Sequence, residues 1–295
     1  MSVFWITGAT GRLGCEITAR LEQLGEQVVP LVFEGYPLQP KRLKWYAQTQ
    51  PIKANDKEDL EQLPPPDYVI HLHWQVKRDL SFTEQLRYEI EWNIHRLNFL
   101  WNVLQQSEIK RIVNLSSIKV FSHLNTNPIS NITTPFPASP YGIAKIAAEH
   151  FLTSHFPQQI THLRLSSVAS FGEHPSQLLS QLYASAFHEK KIRLNAPHTT
   201  ALLYIEEAAD LIINAARSGL EYSYILSGKE ILNAEIAKNF EQLSKKKLHA
   251  DFMDLAPNTT DLTFISDIAK LQTTWTRNYN IVETIQAFIQ AHLSV

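Results

Sequence analysis

The segment Val3-Phe-Trp-Ile-Thr-Gly-Ala-Thr-Gly-Arg-Leu-Gly14 decides the fold. Residues 3–7 form an apolar run that is typical of a buried parallel strand. Apolar side chains then recur at helical spacing, at Leu13, Ile17, Leu21 and Leu24. A strand, a glycine turn and a helix in this order predict a phosphate-binding site, because glycines let the backbone approach a ligand closely and the helix N-terminus offers N–H groups. An ordinary glycine turn is the alternative interpretation.

Further strands alternate with helical patterns along the chain. The strand candidates are Val28–Val32, Asp67–Leu72, Ile112–Ser117 and His162–Val168. Such alternation predicts a parallel sheet with helices on both faces. We therefore expect a doubly wound, Rossmann-type sheet in a dinucleotide-binding domain over residues 1–170. A smaller α/β substrate lobe is expected over residues 171–295, with Leu202–Arg217 returning to the first domain.

The composition excludes several classes of protein. The chain has 295 residues, of which 44% are hydrophobic and 19% charged, and its net charge of -2 gives no reason to expect a nucleic-acid partner. One cysteine excludes an internal disulfide and fits a reducing compartment. No apolar stretch approaches the length of a membrane span, and the N-terminal residues lack the basic region of a signal peptide. We expect a cytoplasmic globular protein.

A tyrosine and a lysine form the candidate catalytic pair. Tyr141 and Lys145 are four residues apart, so they lie one above the other on a helix face. An ammonium at this distance favours the phenolate and is expected to lower the pKa of Tyr141 from its usual value of about 10. That would suit Tyr141 to general acid–base work near neutral pH.

Two histidines on one strand raise the question of a metal site. His71 and His73 project to the same face of their strand. No further ligand completes a recognisable metal-binding spacing, so we predict no metal.

The motifs, taken in order, resemble the extended short-chain dehydrogenase/reductases, specifically the NAD-dependent epimerase/dehydratase group. Thr7–Gly14 is similar to the nucleotide turn of this family, Asp67–Leu72 to its fourth strand, and Val113–Ser117 to the strand that delivers the catalytic hydroxyl. Later similarities are Leu163–Ser167, Tyr204–Asp210, Phe264–Leu271 and Trp275.

The resemblance implies roles for individual residues. Tyr141 would exchange a proton with a substrate hydroxyl or carbonyl, Ser117 would hydrogen-bond the same oxygen, and Lys145 would bias Tyr141 and bind the nicotinamide ribose. Residues implied to contact the cofactor are Gly8, Thr10, Gly11, Arg12, Leu13, Gly14, Val32, Phe33, Leu72, His73, Trp74, Asn93, Tyr141, Lys145 and Ser167.

Several departures from the family pattern bear on the function. His73 and Trp74 stand where the family has small residues, close to the expected cofactor path. Ser167 stands where sugar epimerases often have Asn, and Thr199–Leu202 lacks the Arg that often grips a nucleotide diphosphate. The function implied is NAD(P)-dependent oxidoreduction of a carbinol or ketone in a sugar or sugar-nucleotide-like substrate. The alternatives are a carbonyl reductase for a small non-nucleotide substrate and a non-catalytic NAD(P)-sensing regulator.

The cofactor and the assembly are also predicted. Val32 and Phe33 occupy the end of the second strand, where a carboxylate would accept hydrogen bonds from the ribose of NAD. Glu34 follows two positions late for that role. Arg12 stands in the glycine turn, and the next loop carries Lys41, Arg42 and Lys44, which either are simply solvated or meet a 2′-phosphate. The sequence therefore favours NADP slightly over NAD.

We also expect a homodimer, paired through the helices of residues 82–106 and 141–155. Trp92, Trp101 and Phe151 would supply its apolar surface. The alternative is that these aromatic rings face the protein's own core.

Overall fold

The computed structural model describes residues 1–33, 49–54, 57–77, 79–105, 107–220, 222–253, 262–274 and 276–294, without the side chain of residue 99. Five residues used in the predictions lie outside this part of the chain: Glu34, Lys41, Arg42, Lys44 and Trp275.

Within the described residues, the main sheet has seven strands, all of them parallel. They are β1 (Val3–Thr7), β2 (Gln27–Val32), β3 (Ile52–Lys53), β4 (Tyr68–His71), β5 (Arg111–Ser117), β6 (Ile160–Leu165) and β10 (Tyr222–Leu226). Their spatial order is β10-β6-β5-β4-β1-β2-β3. The chain therefore reverses its direction of winding beside β1, which confirms the predicted doubly wound sheet.

Helices cover both faces of this sheet. The sheet-covering helices are α1 (Arg12–Gln23), α2 (Lys57–Glu61), α4 (His95–Leu104), α5 (Pro140–His155) and α7 (Ile205–Arg217), whereas α3 (Phe82–Glu89) packs on α5. Alternate residues of β1 show the two sides: Phe4 packs in a core with α1 and α7, whereas Trp5 packs in a second core with α4 and α5. Burial on both faces explains the apolar strand sequences.

The chain returns to the main sheet late in the sequence. Helix α7 packs on the face that α1 also covers, and β10 then pairs in parallel with β6, with Tyr224 opposite Leu163. The sequence did not predict that β10 joins this sheet. The division into two functional domains stays a prediction.

The remaining elements form a smaller α/β unit. Its strands are β7 (Ser167–Ala169), β8 (Ile192–Asn195), β9 (Thr199–Tyr204), β11 (Glu230–Leu232) and β12 (Ala250–Met253), and its helices are α6 (Leu178–His188), α8 (Asn233–Ser244) and α10 (Ile281–Leu293). Short helix α9 (Ile268–Leu271) packs against α7 in the core of the main sheet. Leu182, Phe240 and Phe288 from α6, α8 and α10 meet in one core.

The long helix predicted over 82–106 is interrupted. Between α3 and α4, residues Ile90–Ile94 form a π-helical turn. Such turns widen the helix by one residue and occur often at functional sites. In the part of the chain that is described, no helix is long and apolar enough to cross a membrane.

Candidate active site

The glycine turn after β1 is built by close backbone contacts. Gly8 has φ of +69°, and a Cβ there would lie 2.8 Å from the backbone nitrogen of His73. A Cβ at Gly14 would lie 2.4 Å from the Gly8 carbonyl oxygen. Gly11 precedes α1 and provides no side-chain cap for its first N–H groups. The turn is therefore a tight cradle that ends at an uncapped helix N-terminus, which suits an anionic group.

The predicted catalytic hydroxyl and phenol lie together. Ser117 ends β5, and Tyr141 is in the first turn of α5, whose N-cap Ser139 accepts a hydrogen bond from Gly142 N. The phenol of Tyr141 hydrogen-bonds to Ser117, and Ser117 Oγ also accepts from Lys119 N at 3.2 Å. The structure thus brings the predicted pair to the carboxyl end of the sheet.

Lys145 lies beside this pair but does not point at the phenol oxygen. Its Nζ donates to the carbonyl oxygen of Leu115 at 2.8 Å. The same nitrogen is 3.7 Å from the centre of the Trp74 indole ring and 5.6 Å from the centre of the Tyr141 ring. Lys145 is only 4% exposed, so its ammonium is enclosed by protein.

The expected lowering of the Tyr141 pKa is wrong for this state of the protein. Burial raises the pKa of Tyr141 to about 12, which exceeds the lowering by its hydrogen bond with Ser117. Burial also lowers the pKa of Lys145 to about 7, against the opposing charges of Glu89 and Glu149. Desolvation therefore outweighs the effect of the one-turn spacing, and Tyr141 is a protonated phenol at neutral pH.

The Trp74 side chain is held by Glu89, the residue just before the π-helical turn. Its Nε1 donates to Glu89 Oε2 at 2.6 Å, and Glu89 also accepts from Asn93 Nδ2 at 3.0 Å. Glu89 is fully buried, and burial is the main reason why its pKa is raised. Asn93 holds the backbone of Gln75 through two hydrogen bonds, and its contact with a cofactor stays a prediction.

The end of β2 is aromatic and lies beside a cation. Val32 and Phe33 are buried, and the Phe33 ring meets His73 edge to face at 4.9 Å. The guanidinium of Arg96, on α4, lies 5.6 Å from the centre of the Phe33 ring. Burial lowers the pKa of His73 to about 4, with Arg96 adding to this effect, so His73 is neutral at physiological pH.

Arg12 points away from the position suggested by the sequence. Its Nη1 donates to the carbonyl oxygen of Val168 at 3.1 Å and to Ser170 Oγ at 2.5 Å. The side chain is therefore directed to β7 rather than to the end of β2. Only the backbone of Arg12 remains in the glycine turn.

The other predicted contacts surround the same cleft. Thr10 is buried in the turn, Leu13 and Leu72 are half-buried, and Ser167 is exposed on β7. The cofactor roles of these residues stay predictions.

A cavity of about 330 Å³ is lined by residues that lie close to Ser117 and Tyr141 in the sequence. It begins at Ile118, directly after Ser117, and reaches Ser139, two positions before Tyr141. Its other lining residues are Lys119, Phe121, Ser122, His123, Ala138, His198, Thr199, Ala201, Glu230, Leu262 and Phe264. No arginine lines it among the described residues, and Thr200 nearby donates its hydroxyl to Asn233.

Glu89 and Arg96 are the residues that sequence reasoning missed. Both are charged positions in an amphipathic helix pattern, where charge normally indicates the solvent side. The available signal was the placement of Glu89 one turn before the predicted contact Asn93.

Comparison with known sequences gives a match over most of the chain. The sequence profile described as the NAD dependent epimerase/dehydratase family matches residues 4–225. Bovine dTDP-D-glucose 4,6-dehydratase is 21% identical over 216 residues, which is 67% of this chain and 59% of that protein. The human protein of the same name is 23% identical over 189 residues, 61% of this chain and 53% of that protein. The matched part thus spans little more than half the length of these relatives.

Solved structures with the same fold cover nearly the whole chain. UDP-N-acetylglucosamine 4-epimerase from Methanobrevibacter ruminantium M1 has a TM-score of 0.83 at 16% identity, covering 99% of this chain and 98% of that chain. dTDP-glucose 4,6-dehydratase from Bacillus anthracis, solved in complex with NAD, has a TM-score of 0.83 at 15% identity, covering 100% and 97%. At such identities these likenesses establish the fold.

Proposed function

Because this chain belongs to the NAD dependent epimerase/dehydratase family, as its sequence predicts, we propose that it is an NAD(P)-dependent oxidoreductase. Its substrate is a carbinol or ketone of a sugar or sugar-nucleotide-like molecule. The observation that carries the proposal is the hydrogen-bonded pair of Ser117 and Tyr141 beside Lys145, at the carboxyl end of a doubly wound sheet.

The glycine turn fits the diphosphate of a dinucleotide. Side chains at Gly8 or Gly14 would collide with backbone atoms, so the turn keeps its backbone accessible, and α1 begins without a side-chain cap. The part of the site beside Lys145 fits a nicotinamide ribose only after the Trp74 indole has moved away from the Lys145 ammonium. When bound, the cofactor supplies the hydride donor or acceptor.

The chain's own groups handle the substrate oxygen and its proton. Ser117 holds that oxygen by a hydrogen bond, and Tyr141 transfers a proton to or from it. With a pKa of about 12, Tyr141 is poised to donate a proton to a ketone. Acting as a base requires a lower pKa, which a Lys145 ammonium turned toward the phenol would provide.

A second candidate is a carbonyl reductase for a small substrate without a nucleoside diphosphate. The cavity that begins at Ile118 favours it, because no arginine lines it among the described residues. Lys119 offers one exposed cation, which suits a single anionic group better than bidentate recognition of a diphosphate.

For the cofactor, we propose NADP over NAD by a small margin. Arg12 no longer supports this preference, since it is hydrogen-bonded at β7. Arg96 supports it instead, because its guanidinium lies beside Phe33, at the strand end where the 2′-substituent of the adenosine ribose would lie. A contact of Arg with phosphate is a strong, charge-assisted hydrogen bond.

We further propose a cytoplasmic homodimer. Trp92 and Ile90, both in the π-helical turn, are each 42% exposed. Trp101, by contrast, packs on Phe156 at 4.2 Å, so only part of the predicted apolar surface is exposed. The buried single cysteine, Cys15, is compatible with a reducing compartment.

The test is an equilibrium titration of the purified protein with NADH and NADPH, followed by turnover assays with UDP-glucose, dTDP-glucose and small ketones. Binding of at least one dinucleotide below millimolar concentration is expected. Absence of binding for both would refute the oxidoreductase, whereas binding without turnover of any substrate class would favour an NAD(P)-sensing regulator.

A further inference from the structure

The indole of Trp74 covers the ammonium of Lys145. The Nζ atom lies 3.7 Å from the centre of the indole ring, well inside the range of a cation–π contact. The same indole meets the Tyr141 ring edge to face at 6.2 Å. One side chain therefore contacts two of the three proposed catalytic residues.

The indole is held in place through its nitrogen. Nε1 donates to Glu89 Oε2 at 2.6 Å, a short hydrogen bond to a buried carboxylate. Glu89 precedes the π-helical turn, and Asn93 within that turn donates a hydrogen bond to the same carboxylate. Two buried charges of opposite sign, Glu89 and Lys145, thus lie on different parts of one indole.

The backbone next to Trp74 is also fastened. Gln75 N donates to Asn93 Oδ1 at 2.7 Å, and Asn93 Nδ2 donates to Gln75 O at 3.0 Å. Tyr88 donates its hydroxyl to Gln75 Oε1 at 2.7 Å. Because the backbone is held, movement of the indole away from Lys145 would have to come from rotation of the Trp74 side chain.

We infer that Trp74 and Glu89 close the reactive site in the free protein, and that a dinucleotide binds only when the indole has left Lys145. The inference rests on the proposed function, since it concerns access of that cofactor. Lys145 donates to Leu115 O and is otherwise covered by the indole, so a ribose hydroxyl reaches the ammonium only in the open state. The apparent dissociation constant of the dinucleotide then equals the intrinsic constant of the open state divided by the open fraction.

The first measurement compares dinucleotide affinity in wild type and Trp74→Ala. Removing the indole leaves the site open in every molecule. If the wild type is open in one tenth of the molecules or fewer, the variant binds the preferred dinucleotide at least ~10-fold more tightly. Glu89→Gln weakens the hold on the indole and shifts the affinity in the same direction by a smaller factor. Trp92→Phe, which alters an exposed tryptophan away from Lys145, leaves the affinity unchanged.

Equal or weaker binding by Trp74→Ala would overturn the inference. Weaker binding would show that the indole stays and stacks on the cofactor. A thermal unfolding curve for each variant separates a loss of folding from a change in affinity. Because Glu89→Gln retains the size of the side chain, it provides the same test if the alanine variant does not fold.

A second measurement does not need a cofactor. A small acylating reagent is applied to the free protein, and modification of each lysine is followed by mass spectrometry, with exposed Lys246 as the internal standard. Lys145 has a lowered pKa and is intrinsically reactive once exposed. We expect the modification of Lys145 relative to Lys246 to rise at least ~10-fold in Trp74→Ala. The reason is the same as for the dinucleotide: the reagent reaches Lys145 only in the open fraction of the wild type.

The two measurements distinguish failure of the closure from failure of the proposed function. If neither protein binds a dinucleotide, the oxidoreductase proposal fails, and the labelling of Lys145 alone decides whether the indole closes the site. If both bind equally and Lys145 is labelled equally, the function stands and the closure is refuted.

Discussion

The carboxylate of Glu149 and the guanidinium of Arg164 form a buried ion pair with two hydrogen bonds. Arg164 Nε donates to Oε1 at 3.1 Å and Nη2 donates to Oε2 at 2.7 Å, while Ser116 Oγ donates to Oε1 at 2.5 Å. Glu149 lies one turn after Lys145 on α5, Ser116 lies on β5 and Arg164 on β6. The helix that carries Tyr141 and Lys145 is therefore fastened to the strand that carries Ser117.

Loss of Glu149 is expected to destabilise the fold. Glu149→Ala leaves the Arg164 charge buried and unpaired, which lowers the free energy of unfolding by about 3–5 kcal/mol. Urea denaturation measures this change. As the matched control, Glu61→Ala breaks the half-exposed pair with Lys57 and changes stability by no more than about 1 kcal/mol. Equal effects of the two substitutions would contradict the proposed fastening.

Lys145 makes stability depend on pH. Its folded pKa of about 7 lies below the unfolded value of about 10.4, so between these values the unfolded chain holds a proton that the folded chain has released. Stability contributed by this group therefore rises with pH from about 7 to 9, by up to about 1.4 kcal/mol per pH unit. Lys145→Met removes the rise, and Lys246→Met, at an exposed lysine, keeps it. Parallel pH profiles for wild type and Lys145→Met would show that Lys145 does not titrate in this window.

Arg96 is expected to discriminate between the two dinucleotides. Arg96→Met removes one charge-assisted contact, worth about 1.5–3 kcal/mol, and should weaken NADPH binding about 10- to 100-fold. NADH has no 2′-phosphate, so its affinity is expected to change little. Titration of both proteins with both reduced cofactors tests this, and tighter binding of NADH than of NADPH by wild type would refute the preference.

The exposed Trp92 in the π-helical turn is expected to lie in the dimer interface. Trp92→Glu places a charge in that surface and should yield a monomer, because desolvating an unpaired carboxylate is costly. Light scattering at micromolar concentration gives the mass of each protein. A monomeric wild type would rule out the dimer, and a dimeric Trp92→Glu would place the interface elsewhere.

The sequence was sufficient for features that depend on local pattern. Val3–Gly14 predicted a strand, a tight turn and a helix, since steric demands on Gly8 and Gly14 act over short distances. The one-turn spacing of Tyr141 and Lys145 predicted a helix, and the similarity of Val113–Ser117 to a family strand predicted a strand, and both elements are found there.

Features that depend on packing between distant segments were not predictable from pattern. The pKa of Tyr141 is set by burial, which the spacing from Lys145 does not reveal. The direction of Arg12 depends on acceptors at Val168 and Ser170, far away in the chain. Likewise, the role of Glu89 follows from a π-helical turn that a regular helical pattern does not show.

The proton transfer by Tyr141 is the central claim, and Tyr141→Phe tests it most directly. The substitution removes the phenolic hydroxyl and keeps the ring, so dinucleotide affinity should stay within about twofold of wild type. The turnover rate with an accepted substrate, measured as the change in reduced nicotinamide absorbance, should fall at least ~10²-fold. Ser117→Ala, which removes the partner of that hydroxyl, is expected to lower the rate as well. A Tyr141→Phe protein that turns over the same substrate at the wild-type rate would contradict the account.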